Sequence, residues 1–173
     1  MIYKSKEKHD LESGSTILPK PLGWISSGPS PHEDEVQTME LIEERKNRYR
    51  SRIGYILEKM YSLPDNIATI DELGIDGVLY RVHTSIEAAM DLAAMIVRDI
   101  GVEVGDDYDN IEILKEKKVI DEKLAEELKS LNGMRNAIVH KYGNVNTELI
   151  FQNLERIKEI LHWFVENIEG ELE

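Results

Sequence analysis

One short stretch of the chain brings together side chains that can carry out acid–base and phosphate chemistry. Arg135 offers a guanidinium, Asn136 a carboxamide, His140 an imidazole and Tyr142 a phenol, and Lys141 adds a second cation. Arginine binds phosphate oxygens through a planar fork of N–H donors, and histidine both accepts and donates a proton near neutral pH. These residue types together are suited to the cleavage of RNA.

Helical geometry separates the two residues best suited to catalysis. At about 100° per residue, Arg135 and His140 lie about 140° apart around a regular helix. Either the helix loosens near His140, which Gly143 just downstream would allow, or a second subunit supplies the facing pair. Cleavage of RNA by its own 2′-hydroxyl also needs one group to remove a proton and another to protonate the leaving oxygen. Two copies of His140 across a two-fold axis would meet that need.

The spacing of these residues resembles a known signature. Arg135-x4-His140-x-Tyr142 is similar to the R-x4-6-H-x-Y signature of the HEPN superfamily, and the segment 109–131 together with the helix after the motif also looks like its HepT branch. The finer pattern of that branch is present as Arg135-Asn136 followed by His140-Lys141-Tyr142-Gly143.

The resemblance implies an all-α, homodimeric ribonuclease toxin that acts on RNA and needs neither a metal ion nor a cofactor. The antitoxin partner of HepT-like proteins is a minimal nucleotidyltransferase, and some such partners silence the toxin by attaching AMP to the motif tyrosine. Arg135 and His140 would then be catalytic, Tyr142 the AMP acceptor, and Asn136 and Lys141 supporting residues. The alternative is a non-catalytic helical module that supports a separate nucleotidyltransferase and uses the motif as a docking surface.

Composition and motif searches exclude several other classes of protein. No apolar run approaches the roughly 20 residues that span a bilayer, so no membrane association is expected. The chain has no cysteine, which excludes disulfides and fits a reducing cytoplasm. A P-loop, a Rossmann glycine pattern and H-E-x-x-H are all missing from the sequence. Its five histidines never pair at ligand spacing, so no metal site is expected.

The net charge of −13 restricts how such a protein could bind RNA. An acidic body repels phosphate as a whole, so an RNA site must be a local basic cleft. Candidates beside Arg135 and Lys141 are Arg45 and Lys46 on the first predicted helix. These two residues are either a solvated or snorkelling charge cluster or a contact to substrate at a dimer cleft. The many carboxylates are expected on solvated helix faces.

Helical periodicity organises the chain in two parts. Residues 1–29 contain three of the five prolines and no helical period, which predicts an extended arm. Residues 30–173 are predicted to form an antiparallel up-and-down bundle of four long helices and one short helix. The predicted helices run from Ser30 to about Tyr61, from about Gly77 to Ile100, from a cap at Asp109 to near Lys118, from a cap at Asp121 into the motif, and from near Asn146 to the chain's acidic end.

Overall fold

The structure, a computed structural model, describes residues 33–64, 70–140 and 147–172. Only the backbone is described for 33–41, 140, 171 and 172. The predicted arm at 1–29 lies outside the described residues, so the division of the chain at residue 30 stays a prediction.

The described residues form an all-α fold, as the periodicity predicts. Four long helices dominate it: α1 (Glu33–Tyr61), α2 (Glu72–Asp99), α4 (Glu122–His140) and α6 (Leu154–Leu172). Two short helices, α3 (Asp107–Glu116) and α5 (Thr147–Gln152), connect to them. No strand occurs within the described ranges. Helix α2 lies at the centre, where it packs against α1, α3, α4 and α6.

The central position of α2 follows from its apolar faces. Met90 and Leu92 are both buried although they lie about 160° apart around the helix, because a helix enclosed by neighbours must be apolar nearly all round. Small side chains at Ala88, Ala89 and Ala93 let the neighbouring helices approach closely. The remaining core comes from the apolar stripes of the other long helices, including Tyr49, Ile53, Ile56, Met60, Leu124, Leu128, Leu131, Ile157, Leu161 and Phe164.

Helix α2 begins earlier than the sequence predicts. Asp71 is its N-cap, and the side chain accepts a hydrogen bond from the backbone N–H of Gly74 at 2.8 Å. The predicted start at about Gly77 was therefore wrong, because Gly74 and Gly77 both lie inside the helix. A β-carbon at Gly74 would lie 2.2 Å from Cγ2 of Ile70, so the close approach of the Ile70 side chain favours glycine at this position.

Helix α3 also begins one turn earlier than predicted. Asp106, and not Asp109, is the N-cap, and Asp109 completes a reciprocal capping box at the third helical position. Asp107 therefore lies in the first turn of α3.

The ends of α1, α2 and α3 lie within two residues of the predicted ones, whereas the predicted start at Ser30 lies outside the described residues. Asp121 accepts a hydrogen bond from the Leu124 N–H at 2.7 Å and so caps α4 as predicted. The predicted final helix is divided at Asn153, whose side-chain amide donates to the Leu149 carbonyl at 2.7 Å.

Candidate functional site

Helix α4 carries the part of the motif from Arg135 to His140 without interruption. Its backbone is α-helical through Gly133 and on to His140, so the angle of about 140° between Arg135 and His140 persists. Loosening of the helix upstream of His140 does not occur. The His140 side chain, Lys141 and Tyr142 lie outside the described residues.

The Arg135 guanidinium is held by residues of three helices. Its Nε lies 2.6 Å from Oε2 of Glu87 on α2, and its Nη2 donates to Oδ2 of Asp107 on α3 at 3.1 Å. The Nη1 donates to Oδ1 of Asn136 at 2.7 Å. The contact with Glu87 is close but is not aligned as a hydrogen bond, so we treat it as an ion pair. The Arg135 side chain is 17% exposed, which leaves an edge of the guanidinium open to solvent.

This arrangement fixes Arg135 and also offsets its charge. Two carboxylates and one guanidinium carry a formal charge of −1, so an approaching phosphate meets no net positive field from these three groups. A guanidinium has five N–H donors. Asp107 and Asn136 each take one of the terminal donors, and one further N–H on each terminal nitrogen can bind phosphate oxygens.

Asn136 has a contact that its predicted role did not include. The resemblance makes Asn136 a supporting residue without naming a contact, and here its side-chain oxygen accepts a hydrogen bond from Arg135. Neutral asparagine thus helps to orient the guanidinium without adding a further negative charge.

Within one subunit, Arg45 contacts α2 at its C-terminal end, away from the residue of α2 that contacts Arg135. The Arg45 Nε lies 3.3 Å from Oδ2 of Asp99, and the Arg45 side chain is 9% exposed. Asp99 follows Glu87 by about 18 Å along α2. Lys46 is half-buried. Their contacts with substrate remain predictions, and Arg45 in addition joins α1 to the end of α2.

The family of the chain is established by comparison with known proteins. The family model described as Ribonuclease HepT-like matches residues 49–168. The chain belongs to the HepT-like family.

Three proteins show what this HepT-like chain is similar to. A protein of Archaeoglobus fulgidus named as a candidate RNase is 46% identical over 129 residues, which are 75% of this chain and 96% of the relative. The mRNA nuclease HepT of Shewanella oneidensis is 26% identical over 56% of this chain and 73% of that protein. A solved structure of a tri-AMPylated Shewanella oneidensis HEPN toxin in complex with MNT antitoxin shares the fold, with a TM-score of 0.56, 23% identity, and coverage of 75% of this chain and 96% of that one.

Sequence reasoning missed Glu87 and Asp107 in this HepT-like chain. Both were expected, like the other carboxylates, on solvated helix faces, yet their side chains are 45% and 28% exposed and contact Arg135. Asp107 and Arg135 are 28 residues apart along the chain. Only the packing of α2 and α3 against α4 brings the three residues together.

Surface ion pairs help to hold α3 in its place beside α4. Lys129 of α4 contacts Glu112 of α3 at 2.8 Å. Hydrogen bonds from Lys115 and then from Lys129 lower the pKa of the Glu112 carboxyl. These contacts lie on the helix pair that carries Asp107 and Arg135, and they favour the register in which those two residues meet.

The described ranges lack two further features. Within them no group of three or more His, Cys, Asp or Glu residues is arranged to hold a metal ion. None of the helices described is long and apolar enough to cross a membrane.

Proposed function

We propose that this HepT-like protein is a metal-independent endoribonuclease toxin that acts as a homodimer and cleaves RNA through attack of a 2′-hydroxyl. The observation that supports it best is the fixed Arg135 guanidinium, which keeps two terminal N–H donors for a phosphate. A preorganised cation of this kind stabilises the charge that grows on phosphoryl oxygens in the transition state.

The proposed reaction uses one proton acceptor and one proton donor. His140 removes the proton from the 2′-hydroxyl, and the 2′-oxygen attacks the adjacent phosphorus. The bond from phosphorus to the 5′-oxygen breaks, and the partner subunit's His140 protonates that oxygen. The products are a 2′,3′-cyclic phosphate and a 5′-hydroxyl, so atoms and charges balance without a metal ion.

The geometry of α4 supports a composite site. Because the helix is regular from Glu122 to His140, the two catalytic residues of one subunit lie on different sides of it. A two-fold axis near the end of α4 would set Arg135 and His140 of one subunit opposite those of the other. Lys141 would add a cation at the same groove.

The proposed protein partner and the proposed regulation are inferred from the relatives of this chain. We propose a minimal nucleotidyltransferase as the antitoxin and Tyr142 as the acceptor of AMP, because a structural relative is an AMPylated HEPN toxin in complex with MNT antitoxin. An AMP group on Tyr142, two residues after His140, would add a phosphate where the RNA phosphate must bind. The lack of cysteine supports a cytoplasmic location.

Replacement of His140 tests the nuclease. We expect His140→Ala to abolish RNA cleavage and growth arrest while the dimer keeps its mass in solution, because the variant loses both proton-transfer groups. A matched control is His162→Ala on α6, where the exposed imidazole pairs with Glu166 at 3.2 Å, and this variant should cut RNA normally. If the wild-type protein leaves RNA uncut under conditions in which control nucleases work, the proposed ribonuclease activity is refuted.

A second function is favoured by one specific observation. The two carboxylates that offset the charge of Arg135 would also suit a structural guanidinium in a non-catalytic partner of a nucleotidyltransferase. Co-purification with a nucleotidyltransferase, no nuclease activity, and unchanged behaviour of His140→Ala would support this alternative.

A further inference from the structure

Tyr108 is an exposed aromatic residue beside the candidate site. It is the second residue of α3, directly after Asp107, and it is 42% exposed. Its neighbour Asp107 contacts the Arg135 guanidinium. The aromatic ring is therefore anchored on the same helical turn that orients Arg135.

The Tyr108 hydroxyl lies against α4 at Gly133, which has no side chain. A β-carbon built at Gly133 would lie 3.6 Å from this hydroxyl, so the phenol lies next to the bare helix backbone. Gly133 is itself exposed. The ring thus stands at an open part of the α4 surface.

That part of α4 leads to the catalytic histidine. Gly133, Ala137 and His140 follow at intervals of four and three residues, which places them within about 60° of one another around the helix. From Gly133 to His140 the helix rises about 10 Å. The consecutive residues Asp107 and Tyr108 therefore contact different sides of α4. Asp107 contacts Arg135, and Tyr108 lies beside Gly133, on the side of the helix that also carries His140.

We propose that Tyr108 binds an unpaired RNA base by stacking, at the nucleotide next to the scissile phosphate. This inference rests on the proposed nuclease function and adds the substrate class, single-stranded RNA. Aromatic side chains commonly stack on splayed-out bases in RNA recognition. Gly133 beside the phenol adds no side chain that would block a base, and stacking tolerates every base because each has a flat π-face.

Stacking also answers a problem of charge. The net charge of the chain is −13, and Glu87 and Asp107 offset the positive charge of Arg135. Contacts to phosphate alone therefore offer little attraction for RNA. A stacked base contributes affinity that does not depend on positive charge. The site then holds RNA mainly by its bases near the point of cleavage and only weakly along its backbone.

The test measures binding of a single-stranded RNA oligonucleotide that is 2′-O-methylated throughout and so cannot be cleaved. By fluorescence anisotropy, we expect Tyr108→Ala to raise Kd about 5- to 150-fold, the range that follows from one stacked base. Tyr108→Phe keeps the ring and should bind within about twofold of wild type. Tyr80→Ala removes a tyrosine that is 62% exposed on α2 and should leave Kd unchanged.

The outcomes separate this inference from the nuclease itself. Wild type that cuts RNA while Tyr108→Ala binds and cuts equally well overturns the stacking role. Equal losses in Tyr108→Phe and Tyr108→Ala also overturn it, because the hydroxyl and not the ring would then be the contact. If the wild type binds RNA in a Tyr108-dependent manner but does not cut it, the stacking proposal is supported and the nuclease proposal is refuted. Circular dichroism and thermal melting confirm that each variant is folded. Wild type that cuts RNA but does not bind the oligonucleotide overturns the base contact and leaves the nuclease standing.

Discussion

At the scale of single residues, the proposed chemistry depends on how Arg135 is held. A free arginine on an exposed helix would sample many rotamers and lose that freedom on binding phosphate. Glu87, Asp107 and Asn136 hold the guanidinium in place before substrate arrives. The same carboxylates repel phosphate, so orientation and attraction work against each other at this site.

Asp107→Asn should strengthen RNA binding but slow turnover. The variant removes one negative charge, so KM for RNA falls, but it weakens the charge-assisted hydrogen bond that orients Arg135. Such a bond contributes about 1.5–3 kcal/mol, so its weakening should lower kcat by up to about 150-fold. Steady-state cleavage kinetics measure both constants.

The matched control for this variant is Asp76→Asn. Asp76 is an exposed carboxylate of α2, about 16 Å along the helix from Glu87, and its replacement makes the same change in net charge. Both constants should stay near wild type. A rise in KM for Asp107→Asn, or an unchanged kcat, would contradict the positioning role.

At the scale of helices, the end of α2 is joined to α1 by a buried polar cluster. The Tyr49 hydroxyl donates to Oδ2 of Asp99 at 2.5 Å, and Arg45 lies 3.3 Å from the same oxygen. Tyr49 is 1% exposed. Burial raises the pKa of the Tyr49 phenol, and its hydrogen bond to Asp99 raises it further. This cluster fixes α1 against the helix that supplies Glu87.

Tyr49→Phe should reduce stability in a pH-dependent manner. Loss of a hydrogen bond to a charged acceptor costs about 1.5–3 kcal/mol near neutral pH. The raised pKa means that folded Tyr49 holds its proton more tightly than unfolded Tyr49, whose pKa is near 10. Its contribution is therefore complete below about pH 10 and is lost as the pH rises further. The difference in free energy of unfolding between wild type and variant should shrink above about pH 10.

Urea denaturation at neutral pH and at several alkaline pH values measures this difference. The control is Tyr80→Phe, which changes an exposed tyrosine of α2 and should alter stability little at any pH. A gap between wild type and Tyr49→Phe that stays constant through the alkaline range would show that the phenol's ionisation is not linked to folding.

At the scale of the whole molecule, the proposal depends on two subunits. One chain supplies one motif histidine, and regular helix geometry separates it from Arg135 around α4. The negative net charge favours a small shared groove over an extended RNA-binding face. Residues 30–173 would form the body of each subunit, and the two motifs would meet between them.

A mixed dimer distinguishes a shared site from two independent sites. We expect a heterodimer of wild-type and His140→Ala subunits, isolated with two different affinity tags, to retain less than about a tenth of wild-type cleavage, because one shared groove needs both an acid and a base. A wild-type dimer carrying the same two tags is the control. Retention of half the activity would show that each subunit acts alone.

The sequence by itself determined the helices and the motif, because helical periodicity, caps such as Asp121 and the spacing from Arg135 to His140 are all local properties of the chain. Boundaries such as those of α2 and α3 were less certain, since several neighbouring aspartates and glycines offer similar caps and breaks. Only the tertiary structure decided that Glu87 and Asp107 meet Arg135 and that Arg45 is buried against Asp99. A carboxylate on a helix face has the same local pattern whether it meets water or a guanidinium, and the packing of α2 with its neighbours makes the difference.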